Sequence, residues 1–234
     1  MNVTRRSFLG SVGTGVAAVT AMAGSAPPAE AELVYRHADW KFADFDKLLK
    51  FKGRGKQVYD VHPIGDGSFL GVIKNSINGL HFGFDIPMEE IKIVSAAHGP
   101  ANMLNFDDSM WAKYKVGEWL KIEDPLTKKP ATRNIFYPKR NPNGSTDPSD
   151  RAGIYQDYGI EALLGRGLQL LSCHNATEGQ AAQLVKLYGL KDSVEDVVAD
   201  LQSHTLPGVI LVPAMVAAIS MLQSEGHYSY IVAP

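Results

Sequence analysis

Apolar and polar positions along this chain alternate between two periods. The segment Gln57-Val58-Tyr59-Asp60-Val61 is a short, largely apolar run of strand character. From 68 to 82, Phe69, Val72, Ile73, Ile77 and Leu80 recur at helical spacing, which predicts a helix. A second strand, IKIVSAA over 91–97, runs up to His98-Gly99-Pro100, and the pattern over 102–114 again predicts a helix. A strand, helix, strand, helix order implies a parallel sheet with right-handed crossovers.

The regularity breaks over 115–151. Pro125, Pro130, Pro138, Pro142 and Pro148 interrupt this stretch, and Asn141-Pro142-Asn143-Gly144 is a turn signal. It reads as an inserted irregular arm that carries a short hairpin or an extended excursion, with Trp119, Ile135, Phe136 and Tyr137 as its apolar members. Order resumes with a predicted helix at 155–165 and a strand at 168–172. Thr177 is the expected cap of a helix that stops at Gly189, and Ser193 the cap of a helix over 194–202. The run 209–212 predicts a buried strand, Pro213 the first turn of a helix over 214–225, and 228–232 a closing strand. Ahead of the regular part, residues 32–55 form an N-terminal arm in which Trp40, Phe42, Phe45, Leu48 and Leu49 suit a short helix packed across the fold. The expected organisation is one α/β domain over 56–234 with an insertion at about 115–151.

At 234 residues and 45% hydrophobic, the chain can bury one sizeable core. Its formal charge of −2 provides no basic field, so nucleic acid is not an implied partner. The first 31 residues have the grammar of an export leader: Thr4-Arg5-Arg6-Ser7-Phe8-Leu9, then a Gly- and Ala-rich apolar stretch, then Ala29-Glu30-Ala31. Arg5, Arg6, Phe8 and Leu9 carry the match to the twin-arginine type, and the expected destination is the periplasm or another exported location. The apolar stretch is short for a membrane span, so no permanent span is expected.

The chain has a single cysteine, Cys173, within LLSCHNATEG. One thiol cannot form an internal disulfide, so it is a buried inert group, an intermolecular partner or a reactive group. It falls at a predicted strand end, the place where α/β sheets keep their sites. His174 follows it directly, and His98 stands at the end of another predicted strand, which makes Cys173, His98 and His174 the candidate catalytic set. Consecutive strand residues point oppositely, so only one of Cys173 and His174 need face a shared crevice. A helix beginning near Thr177 would aim its free amides at the thiol, and a nearby histidine could take its proton. There is no CxxC, Walker-type loop, HExxH or GxSxG. With no second cysteine beside the Cys173-His174 pair, neither a metal nor another cofactor is predicted.

Four places bring a known family into view. Lys74-Asn75-Ser76-Ile77-Asn78, with two asparagines three apart, the VSAAHGP of 94–100, the Cys173-His174-Asn175 tripeptide, and the closing LPGVILVPAMVAAISMLQSEGHYSYI of 206–231 resemble the DsrE/DsrF-like family. The resemblance covers about 56–234, with gaps. It implies a flavodoxin-like parallel-sheet three-layer sandwich, assembly into trimers or hexamers, and Cys173 as an acceptor of sulfane sulfur, with a sulfur donor or acceptor protein as partner. Gly99, Pro100, Asn175, Asn75 and Asn78 are the candidate ligand-binding positions on the same basis. The insertion and the stretch between Asn175 and Pro207 are longer than the simplest members of that family have. A non-catalytic binding or assembly module, using Trp119 and Phe136, and a small-ligand or metal-binding protein are the alternative readings.

Overall fold

The computed structural model describes residues 36–233, and the expected leader, with Arg5, Arg6, Phe8 and Leu9, lies outside them. Five parallel strands form one sheet: β1 (Gly55–Val61), β2 (Ile91–Ala97), β3 (Leu168–Cys173), β4 (Ile210–Val212) and β5 (Ser229–Val232). The helices are α1 (Ala43–Leu49), α2 (Ser68–Asn78), α3 (Asp108–Lys113), α4 (Val116–Trp119), α5 (Ile160–Leu164), α6 (His174–Tyr188), α7 (Val194–Ser203) and α8 (Met215–Ser224). Helices cover both faces, giving a flavodoxin-like three-layer α/β sandwich. Among the described residues no helix is long and apolar enough to cross a membrane.

The strand order is β4-β3-β2-β1-β5. From β1 to β4 the chain steps always toward the same edge, and right-handed crossovers therefore lay α2 to α7 on one face. The return from β4 to β5 runs the other way, which puts α8 on the opposite face beside α1. Side-chain alternation along the strands divides the core accordingly. Leu168, Leu170, Ile91, Ile93, Tyr59 and Val61 pack with α2, α6 and α7, while Leu171, Cys173, Val94, Ala96 and Val58 pack with Phe45 and Leu48 of α1 and Met215, Ala218 and Leu222 of α8.

Several local expectations are revised. The helix expected over 68–82 stops at Asn78 and continues as a single wide turn over Gly79–Gly83, where two glycines weaken the helical hydrogen-bond ladder. The single helix expected over 102–114 is two pieces: a tight 3-10 segment, Gly99–Asn105, and then α3. Extended Phe106 separates them, bridged to Thr205, and Asp107 caps α3 by accepting the amides of Ser109 and Met110. The helix expected at 155–165 is likewise a 3-10 turn, Ile154–Gln156, followed by α5. The insertion carries α4 and a short antiparallel pairing of Glu123 with Pro130, and it sends Ala131, Asn134 and Phe136 into the core.

The buried carboxamide of Asn102 locks the carboxyl end of β3 to the segment after β2. Its Oδ1 accepts from Ser172 Oγ (2.9 Å), the Cys173 amide (3.0 Å) and Asn105 Nδ2 (3.3 Å), and its Nδ2 donates to Thr177 Oγ1 (2.9 Å) and Gln180 Oε1 (3.1 Å). Gln180 in turn donates to the Gly99 carbonyl at 2.5 Å. Asn102, Ser172 and Thr177 are fully buried, so a lost partner cannot be replaced by bulk water. Asn102→Ala is expected to lower the unfolding free energy by about 3 kcal/mol, read as a shift of the urea midpoint at unchanged slope.

Candidate functional site

Strand β3 is followed by α6 on one face of the sheet and β4 by α8 on the other. The two strands are neighbours, so the chain leaves their carboxyl ends in opposite directions, and that divergence opens a crevice in a parallel sheet. Cys173 ends β3 at this point, paired with Val212 of β4. Its side chain is buried on the α1/α8 face among Val212, Met215, Ala218 and Phe45. Sγ accepts the amide N–H of Met215 at 3.4 Å. Met215 is the first residue of α8, so the positive end of that helix meets the sulfur.

The helix expected to serve the thiol is therefore the wrong one. Helix α6 begins at His174, with Cys173 itself as its cap residue, and Thr177 lies inside the first turn, donating to the Cys173 carbonyl at 3.0 Å. The Asn175 amide donates to the Pro213 carbonyl at 3.2 Å instead of to sulfur, while the Asn175 residue is exposed. Pro213 precedes the extended cap residue Ala214 and stands outside α8, not in its first turn. Beside this junction, α1 and α8 enclose a largely apolar pocket of about 300 Å³, lined by Phe42, Phe45, Leu49, Val212, Ala214 and Ala218 among others.

The three candidate catalytic residues do not form one hydrogen-bonded group. His174 turns away from the sulfur, as strand alternation requires: Gln202 Nε2 donates to its Nδ1 at 2.5 Å, Glu178 Oε1 lies 3.6 Å from its Nε2, and Trp40 meets the ring edge-on. Burial pushes the His174 imidazole below its ordinary range, against the opposing pull of Glu178. His98 continues β2 on the same face as Cys173. The pairings Leu171 with Ala96 and Ser172 with Ala97 make it the next lateral neighbour of the cysteine. Its ring nevertheless leans toward β1, where Nε2 donates to Asp60 Oδ1 at 2.6 Å.

Around His98 stands a group that no sequence motif announces. Tyr230 of β5 donates to Asp60 Oδ2 at 2.6 Å, and that carboxylate raises the tyrosine's pKa, with burial adding to it. The His62 and His98 rings meet edge to face, their centroids 5.1 Å apart. Gly99 has φ +52°, and a Cβ there would stand 2.6 Å from His62 Nε2, so the glycine is needed both for its backbone conformation and for the ring above it. Asp60 did carry a signal in the sequence: it is an acidic residue in a strand, set between the buried Tyr59 and Val61.

Other candidate positions lie elsewhere. Pro100 is exposed on the rim of a cleft of about 890 Å³ between the β1–α2 loop and the insertion. Asn75 is exposed, and Asn78 donates to the Tyr155 carbonyl at 2.8 Å and accepts from Arg166. Both sit in the second half of α2, which runs antiparallel to the strands and ends near Gly55, at the amino edge of the sheet and away from Cys173. Among the described residues no group of three His, Cys, Asp or Glu side chains is placed to hold a metal ion.

The depressed His174 pKa sets a direction for acid stability. An unfolded histidine takes up its proton below about pH 6.5, while the folded imidazole resists it, so this contribution is complete above that pH and is lost as pH falls through the folded value. His174→Gln is expected to flatten that part of a Tm-against-pH curve, leaving intact the steeper fall at lower pH from Asp124 and Asp200, whose pKa values are also lowered. Comparison of the chain with protein-family models, curated proteins and solved structures finds no match in any of the three.

Proposed function

We propose that this chain is an exported DsrE-like protein in which Cys173 accepts and holds sulfane sulfur. The observation that carries this reading is the placement of Sγ at the β3/β4 divergence, with the first amide of α8 donating to it. An N–H aimed at sulfur opposes the build-up of negative charge less than bare apolar surroundings do, and the thiolate is the form that attacks a sulfur–sulfur bond. The adjoining pocket, lined largely by apolar side chains, suits a polarisable sulfur atom. Exposed Phe84, Leu126, Val216 and Val232 supply apolar surface for the self-assembly the family resemblance implies.

The loading step balances without an outside oxidant. The Cys173 thiolate attacks a terminal sulfane sulfur of a hydropolysulfide, a new S–S bond forms, the bond to the rest of the polysulfide breaks, and the shortened polysulfide leaves with the electron pair. A second reading, a small-ligand or partner-binding module, draws on the 890 Å³ cleft, where Trp119, Lys121, Ile135, Arg140 and Tyr158 face the loop before α2. Phe136 also lines it but is itself 2% exposed, which limits it to a supporting wall.

Intact-mass measurement after exposure to hydropolysulfide tests the sulfur reading. The parent is expected to gain whole sulfur atoms that a reductant removes, and Cys173→Ser to gain none. No gain in the parent, together with a thiol that resists alkylation until the chain unfolds, would leave Cys173 a packing residue and shift the function to the cleft.

A further inference from the structure

Asp60, His98 and Tyr230 come from three strands, β1, the end of β2 and β5, that lie side by side at the carboxyl edge of the sheet. Both oxygens of the Asp60 carboxylate are engaged, one by the His98 ring and one by the Tyr230 hydroxyl, each at 2.6 Å. That arrangement sets the tautomer of His98. With Nε2–H given to the carboxylate, the neutral imidazole keeps its lone pair on Nδ1, and no hydrogen bond from a described residue reaches that atom. The His98 and Asp60 side chains are 22% and 23% exposed, open enough for a small molecule yet partly shielded from water.

A carboxylate that orients an imidazole, with the second nitrogen left free, is the construction of a general base. The ring lies one strand from Cys173, on the same face, and leans away from it. The base therefore does not bond to the cysteine itself but stands beside it over the end of β2. His62, seated against Gly99, closes the other side.

We infer that His98, positioned by Asp60 and Tyr230, is the base that activates an incoming small thiol to take the sulfane sulfur from Cys173; this rests on the sulfur-carrier reading above. The thiol R–SH gives its proton to His98 Nδ1, and the resulting RS⁻ attacks the outer sulfur of the Cys173 persulfide. An R–S–SH product forms as the bond to Sγ breaks, the electron pair stays on Sγ beside the Met215 N–H, and the imidazolium returns its proton to that thiolate or to water. Asp60 and Tyr230 are positioning residues here. The titratable groups facing His98 are Asp60 and His62, with Tyr230 acting through Asp60.

The test uses the full chain, loaded at Cys173 with hydropolysulfide and then mixed with free cysteine, whose thiol ionises near about pH 8.5. Once loaded to the same extent as the parent, His98→Gln and Asp60→Asn are expected to discharge at least about tenfold more slowly at about pH 7. At about pH 10 their discharge should match the parent, because the acceptor is then already a thiolate. Equal slowing at both pH values would mark a structural role, and unchanged discharge at about pH 7 would mean no role; either overturns the inference while leaving Cys173 a sulfur carrier. A parent that does not load at all removes both the inference and the reading beneath it.

Discussion

The carboxyl edge of this sheet depends on the buried carboxamide of Asn102. Parallel strands end in backbone groups that no further strand can satisfy, and here the segment after β2 passes directly over the end of β3. Asn102 answers one of those groups, the Cys173 amide, takes the Ser172 hydroxyl on the same atom, and reaches the side chains of Thr177 and Gln180 of α6 with the other. Asn105 adds a bond to the Leu171 carbonyl at 3.0 Å. In an interior of low dielectric such a network is stabilising where its members are paired, as both polar atoms of Asn102 are, and that pairing specifies one arrangement of β3 and α6.

That fixed edge gives the two chemical groups their different settings. Cys173 lies under α1 and α8 in an apolar layer, reached by one amide. The Asp60–His98–Tyr230 group lies nearer solvent, along strands whose ends face less cover. Both belong to the same face, because Asp60, His98, Tyr230 and Cys173 each follow the alternation of their own strand. The sulfur is buried and the imidazole partly exposed, so the two groups meet solvent to different degrees on one face.

How much of this was legible in the sequence differs by element. Strands β1, β2 and β3 were readable because apolar runs bounded by Gly, His and Pro leave little choice of local structure. Helix α7 and its Ser193 cap were equally plain, and the capping box is present, with Asp196 returning the bond. The segment 102–114 departs from the helix its pattern predicts because Asn102 and Asn105, weak helix formers, are held by tertiary partners in a tighter 3-10 turn. Thr177 has a hydroxyl suited to a cap, whereas in the fold it closes the first turn from inside and meets Asn102.

The sequence by itself determined the strands, most of the helices and their order, and therefore a parallel sheet, because periodicity and turn chemistry are local properties. It also placed Cys173 and His98 at strand ends, and alternation alone required Cys173 and His174 to diverge. Only the tertiary structure decided which strands lie side by side. The return of β5 to the far side of β1 brings Tyr230 to Asp60, 170 residues apart in the chain. The passage of α8 to the opposite face brings the Met215 amide to Cys173, 42 residues away. Lateral strand order is set by the summed burial of two faces and the handedness of crossovers, and no window of neighbouring residues encodes it.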